Sequence, residues 1–253
     1  MKPSPFLSKP FWVAALLFLS ACGGNEQKTN TETTSGDTNT STETTTTTTT
    51  TEAPMASTTI TSPQTVLVAH QKTNDFAKWK MFYDSRDSNR MANGIHNYVI
   101  GRGVMDTSQV FVAMRADDAA KAKSYAKDPS RKVSMQKMGI TAVPTFEVYT
   151  LTFQDTARIS SDIRSMTTFS VKSWSTWQQN FEMGNQDRMQ NGLTTRAYGH
   201  MADDSSKVVV VVAVADTAKA RMFWSSDSLK VRMARSGVIG QPKRFLYRVV
   251  QRY

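Results

Sequence analysis

Val208 to Val212, continued by Ala213 and Val214, form an apolar run with no polar alternation. A strand with one wet face alternates, so both faces of this one need cover. The run Val110-Phe111-Val112-Ala113-Met114 makes the same demand. Around them the pattern predicts further elements. Val66-Leu67-Val68-Ala69-His70 reads as a strand, and Asp75 is placed to cap a helix with Phe76, Trp79 and Tyr83 on one face. That helix is expected to carry Arg90 near its end and to stop at Asn93-Gly94, where positive φ is tolerated. A strand His96 to Ile100, a turn with Asp106, and the apolar third strand follow. Asp118 then caps a helix through Ala122 and Tyr125, and Asp128-Pro129 restarts a short helix that Gly139 closes. Pro144 stands before a last strand, Phe146 to Tyr149.

This order is written twice. Trp79 and the segment Arg90-Met91-Ala92-Asn93-Gly94-Ile95 return as Trp177 and Arg188-Met189-Gln190-Asn191-Gly192-Leu193, an offset of 98 positions (79 to 177) that then holds to Tyr253. It pairs Gly101 with Gly199, Asp106 with Asp204, Asp118 with Asp216, Gly139 with Gly237 and Pro144 with Pro242. The second aromatic stripe is Trp174, Trp177 and Phe181, and its later strands are Thr194 to Tyr198, Val208 to Val214 and Phe245 to Val250. Two copies of this length suggest a pseudo-dimer, whereas solenoid repeats run about 20–50 residues.

Each copy therefore reads strand, helix, strand, strand, helix, strand. Its own helices cover one face of the apolar third strand, and the other face needs a second sheet, which the sister repeat supplies. The order resembles a ferredoxin-like βαββαβ unit. The doubled arrangement, with Phe76-x-x-Trp79, Arg90-x-x-x-Gly94, Asp106, Asp118 with Lys121-Ala122, Met135, Gly139 and Pro144, resembles the dimeric α/β-barrel superfamily that includes the antibiotic-biosynthesis-monooxygenase-like domains. The resemblance implies an α+β fold: two ferredoxin-like βαββαβ repeats packed sheet to sheet as an intrachain dimeric α/β barrel, in a chain that is a monomer. That superfamily includes cofactor-independent monooxygenases, haem-degrading enzymes, small-molecule isomerases and dehydratases, with the substrate usually between a sheet and its helices. Its motifs here mainly specify fold, and fold does not imply function.

The N-terminal segment has a different logic. Lys2 and Lys9 precede the apolar run Phe11 to Leu19, too short for the roughly 18 residues of a membrane span. It reads as a signal peptide over 1–21. Leu19-Ser20-Ala21-Cys22 resembles the lipobox of bacterial lipoproteins, which implies that Cys22 is lipidated and that the bacterial membrane is a partner through the anchor. Ordinary cleavage after Ala21, leaving a free thiol, is the other reading. Gly23 resembles outer-membrane sorting more than inner-membrane retention. Cys22 is the only cysteine, so the repeats hold no disulfide, thiolate metal cluster or cysteine nucleophile. Residues 22–62 are rich in Thr, Ser, Glu, Asn and Gly, with Thr45 to Thr51 unbroken, a composition that predicts a disordered tether. Its roughly 40 residues would span about 35 Å at about 5–6 Å × √n. The domain reading is thus an anchor and tether, a first repeat over 63–155 and a second over 156–253.

Charge changes the picture little. The chain is +10, and its first 62 residues hold three Lys against five acidic groups, which leaves the repeats at +12. A basic surface favours anionic partners, but the charges spread through both copies and no basic-aromatic recognition pattern points to nucleic acid. Candidate chemistry is sparse. His96 and Tyr98 stand at i and i+2 and share a strand face, able to aim an acid-base group and a phenol at one cavity, while their counterparts are Thr194 and Arg196. His70, Trp79, Arg90, Trp177 and Arg188 are candidate ligand-binding residues. The arginines hold an anion or else bridge to a carboxylate at the helix's negative end, and the tryptophans line a cavity or else pack the core. No histidine spacing builds a metal site, and no GxGxxG, P-loop or GxSxG motif calls for a cofactor. The sequence favours a lipid-anchored envelope module that binds a small apolar or anionic ligand or an envelope partner. The alternative is a cofactor-independent monooxygenase acting on an aromatic substrate through His96 and Tyr98.

Overall fold

A computed structural model describes residues 58–129, 140 and 142–253. The first repeat holds β2 (Gln64–Lys72), α1 (Phe76–Ser85), α2 (Asp87–Ala92), β3 (Ile95–Gly103), β4 (Gln109–Ala116), α3 (Ala119–Lys127) and β5 (Thr145–Asp155). The second holds β6 (Ile163–Val171), α4 (Trp174–Met183), α5 (Asn185–Gln190), β7 (Leu193–Met201), β8 (Asp204–Val214), α6 (Thr217–Ser225), α7 (Asp227–Arg235) and β9 (Val238–Arg252). Two-residue β1 (Thr59–Ile60) precedes them and pairs with Asp155 and Gln154, so the segment read as tether gives its last residues to the fold.

The caps form where the sequence places them. Asp75 accepts from Lys78 N at 2.9 Å, Asp118 from Lys121 N at 2.7 Å and Asp216 from Lys219 N at 3.0 Å. Gly94 and Gly192 take φ of 67° and 71°. Two expectations need correction. The first helix of each repeat is two helices, interrupted at Arg86 and at Gly184, so Arg90 and Arg188 ride on the separate short α2 and α5. Pro242 lies inside β9, at a bulge where the register with β6 skips between Thr168 and Ser170 and no ladder donor is required. The short helix expected between Asp128 and Gly139 falls largely outside the described residues. Its counterpart is α7, after which Gly237 takes φ of 77°.

All strand pairs are antiparallel, in the order β5-β2-β4-β3-β9-β6-β8-β7, and β7 pairs back onto β5. The two four-stranded sheets thus face each other and also bond edge to edge, closing a barrel of eight strands. The seams are β3 with β9 and β5 with β7. Paired glycines sit on them: a Cβ on Gly101 would meet the Tyr247 ring at 2.3 Å, and one on Gly199 would meet the Thr150 carbonyl oxygen at 2.1 Å. Only a residue without Cβ lets the edges of the two repeats approach this closely.

The apolar strands divide between layers as their pattern requires. Val208, Val210, Val212 and Val214 pack under the second repeat's helices, while Val209 and Val211 face the barrel interior. In β4, Val110, Val112 and Met114 lie under the first repeat's helices, and Phe111 and Ala113 face inward. The aromatic stripes press onto the outer faces, with Trp79 between Phe76 and Tyr83 at 5.4 and 5.1 Å, and Trp177 between Trp174 and Phe181 at 5.2 and 4.9 Å. Ala122 and Ala220 are fully buried under them, which explains why the Lys-Ala pair recurs.

Candidate functional site

In the second repeat the helices stand off the sheet far enough to leave two adjoining cavities, of about 100 and 90 Å³. Both are walled by Trp177, Phe181, Phe223, Leu229 and Met233, and Arg188 lines both. Val210 and Val212 of β8 form the sheet side, and Trp224 and Arg244 complete the larger cavity. A guanidinium lies near the face of each of three aromatic walls: Arg188 at 3.7 Å from the Phe181 ring centre, Arg232 at 5.6 Å from Phe223 and Arg244 at 4.2 Å from Trp224. The enclosure is apolar with a cationic edge.

Arg188 is held rather than free to swing. It donates to the Phe181 carbonyl at 2.6 Å, to Thr195 Oγ1 at 3.2 Å and to Asn185 Oδ1 at 3.3 Å, and burial pulls its pKa down to about 10. Arg90 repeats the device, donating to the Tyr83 carbonyl at 2.7 Å and stacking on the Tyr83 ring at 3.8 Å, with Asp87 at 3.4 Å. Each arginine thereby satisfies a carbonyl near the end of the preceding helix and staples the next one to it. This structural task explains their recurrence. Arg188 also lines both cavities.

The remaining sequence candidates scatter. Trp79 is fully buried in the first repeat's core. His70 lies edge-on to Phe111 and Phe245 at 5.4 and 5.1 Å, and burial lowers its pKa against the pull of Glu147. His96 is exposed, with Nε2 2.9 Å from Asp117 Oδ1. Tyr98 is the extra residue of a β-bulge in β3 and lines a separate cavity inside the barrel, beneath the Arg115 guanidinium at 4.6 Å. His96 does not line that cavity. Cys22 lies outside the described residues.

No family model and no curated protein matches this sequence. Solved structures do. A candidate monooxygenase from Fusobacterium nucleatum superposes with a TM-score of 0.50 at 11% identity, over 75% of this chain and 93% of its own. An anthrone oxidase-like protein gives 0.49 at 12% identity over 74% and 92%, and a haem-binding protein from Thermus thermophilus gives 0.45 at 10% over 76% and 93%. The fold is that of the dimeric α/β barrels. The likeness extends to architecture alone.

The helix-side cavities do not fit a haem. Among the described residues no histidine, cysteine or tyrosine lines them, Met233 offers the one side chain there able to ligate iron, and their volumes are far below that of a tetrapyrrole. The described residues of their lining include no carboxylate. Tyr198, nearby, donates to Glu182 Oε1 at 2.5 Å, and burial followed by that carboxylate pushes its pKa up to about 12, so it stays protonated at neutral pH. What the arrangement offers is shape, aromatic surface and positive charge. Sequence reasoning missed Trp224 and Arg244. Their signal was the difference between copies, since the offset aligns them with Ala126 and Phe146.

Proposed function

We propose that this protein is a lipid-anchored binding module of the cell envelope, which holds a small planar aromatic molecule between the sheet and helices of its second repeat. The observation that carries this reading is the aromatic cavity edged by Arg188 and Arg244. Aromatic walls favour a flat apolar body, and guanidinium groups at its rim favour an electron-rich or acidic edge on the ligand. Binding without turnover is favoured over oxygenation because the described residues of the lining offer aromatic rings and guanidinium groups and, among them, no carboxylate or histidine. The anchor rests on Leu19-Ser20-Ala21-Cys22, and the Thr-rich segment up to the repeats is its tether. Gly23 supports the outer membrane as the site.

The test is a titration of the full chain, purified in detergent, with phenol and 2-naphthol. Quenching of tryptophan fluorescence is expected, together with stabilisation that grows as RT ln(1 + [L]/Kd). Trp224→Ala should weaken it about tenfold or more. If no planar aromatic moves the melting curve, or if Trp224→Ala binds as well as the parent, the reading is wrong.

A further inference from the structure

A third cavity, of about 70 Å³, lies inside the barrel, on the opposite side of the sheet from the helices. A cavity of this size has room for a few waters or one small organic molecule. The offset of 98 positions relates its two sides, and it exposes an imbalance. Where the first repeat contributes Val66, Tyr98 and Gln154, the second contributes Arg164, Arg196 and Arg252. Three guanidinium groups converge on one chamber, and among the described residues the one carboxylate lining it is Asp155.

That carboxylate is already committed. Asp155 Oδ2 accepts from Arg196 Nη1 at 2.6 Å, and Arg196 Nη2 donates to the Ala157 carbonyl at 2.5 Å. Arg164 is different. Only 3% exposed, it donates Nη1 to the carbonyls of Ser161 and Ile163 at 2.8 and 2.9 Å, while Nη2 is buried with no hydrogen-bond partner. Burial, and then the charges of Arg252 and Arg196, pull its pKa down to about 10, which leaves it cationic at neutral pH. An unsatisfied charged donor in such a place is costly unless something completes it. Gln154, 2% exposed, likewise keeps Oε1 without a partner, an acceptor for a ligand hydroxyl. The surrounding wall, including Val209, Val211 and Val249, is apolar, and Arg252 is exposed to solvent, which marks the way in.

We propose that the barrel interior is a binding site for a small organic carboxylate, its anionic head between Arg164, Arg196 and Arg252 and its apolar body along Val209, Val211 and Val249. This site is independent of the helix-side cavity, and the two can be told apart. Calorimetric titration of the full chain with benzoate should give saturable binding, tighter for 4-hydroxybenzoate, whose hydroxyl meets Gln154, and none for neutral methyl benzoate. Arg164→Val, which installs the first repeat's residue, should weaken benzoate binding about 10- to 100-fold. Arg252→Gln, at an exposed position that leaves folding intact, should weaken it less. Trp224→Ala should leave it unchanged. Equal binding of benzoate and its methyl ester, unchanged affinity in both arginine variants, loss of binding in Trp224→Ala, or no binding at tens of millimolar would each overturn the proposal. A response to inorganic phosphate alone would overturn the carboxylate assignment.

Discussion

Asp106 and Asp204 stand at equivalent turns and make the same bonds: each Oδ1 accepts from the backbone N–H two residues on at 3.0 Å and from that serine's hydroxyl at 2.6 Å. The turn, not a ligand, is what keeps them alike. Ser108, then Lys72, hold the Asp106 carboxyl far below the usual carboxylate range. A folded pKa below the unfolded value of about 3.9 means stabilisation that is complete above about pH 4–5 and is lost as the pH falls toward the folded value. Melting temperature measured from pH 7 to 2.5 should therefore fall in acid, and Asp106→Asn should flatten that decline. Arg90→Met should cost about 1.5–3 kcal/mol, by leaving the buried Tyr83 carbonyl without its charged donor. Denaturant titration checks this. Loss below 0.5 kcal/mol would show the arginine is not a staple.

At the scale of elements, the seams between repeats decide the barrel. Gly199→Ala places a methyl against the Thr150 backbone, which cannot move without shifting β5, whereas at Gly101 the first obstacle is the Tyr247 ring, a side chain. Both substitutions should destabilise by roughly 1–3 kcal/mol, with Gly199→Ala the worse. The reverse order, in equilibrium unfolding, would mean the β5 to β7 seam is the looser one. Strand pattern, caps and helix-ending glycines were all legible locally, because each depends on a few adjacent residues. The bulges were not. Tyr98 in β3 and Arg196 in β7 are the extra residues at matching irregularities, and those irregularities exist only relative to β4 and β8. Hence a pair read as sharing one face, His96 and Tyr98, ends with one residue in an exposed contact with Asp117 and the other at an internal cavity.

For the whole molecule, the shared interior ties the repeats together. Val66, Val68 and Phe111 of the first pack in one cluster with Met166, Val209 and Tyr247 of the second. Calorimetry should accordingly show a single transition, with equal calorimetric and van't Hoff enthalpies. Residues 156–253 made alone should be unfolded or pair with a second copy, because the inner sheet face and two strand edges lose their cover. Two separate transitions would contradict that coupling. Cys22→Ser is expected to move the protein from the membrane fraction to the soluble fraction and to abolish labelling by radioactive palmitate. An unchanged membrane fraction would remove the anchor from the proposal.

The sequence alone determined the repeat, the order of elements, their caps, and the need for a second sheet over Val208 to Val214, since periodicity, charge and turn chemistry are properties of neighbouring residues. Only the tertiary structure decided that the two sheets close edge to edge, that the second repeat's helices leave an aromatic cavity, and that Arg164, Arg196 and Arg252 meet in one chamber. Those convergences depend on register and bulges between strands far apart along the chain. Arg196, for example, finds Asp155 41 residues away.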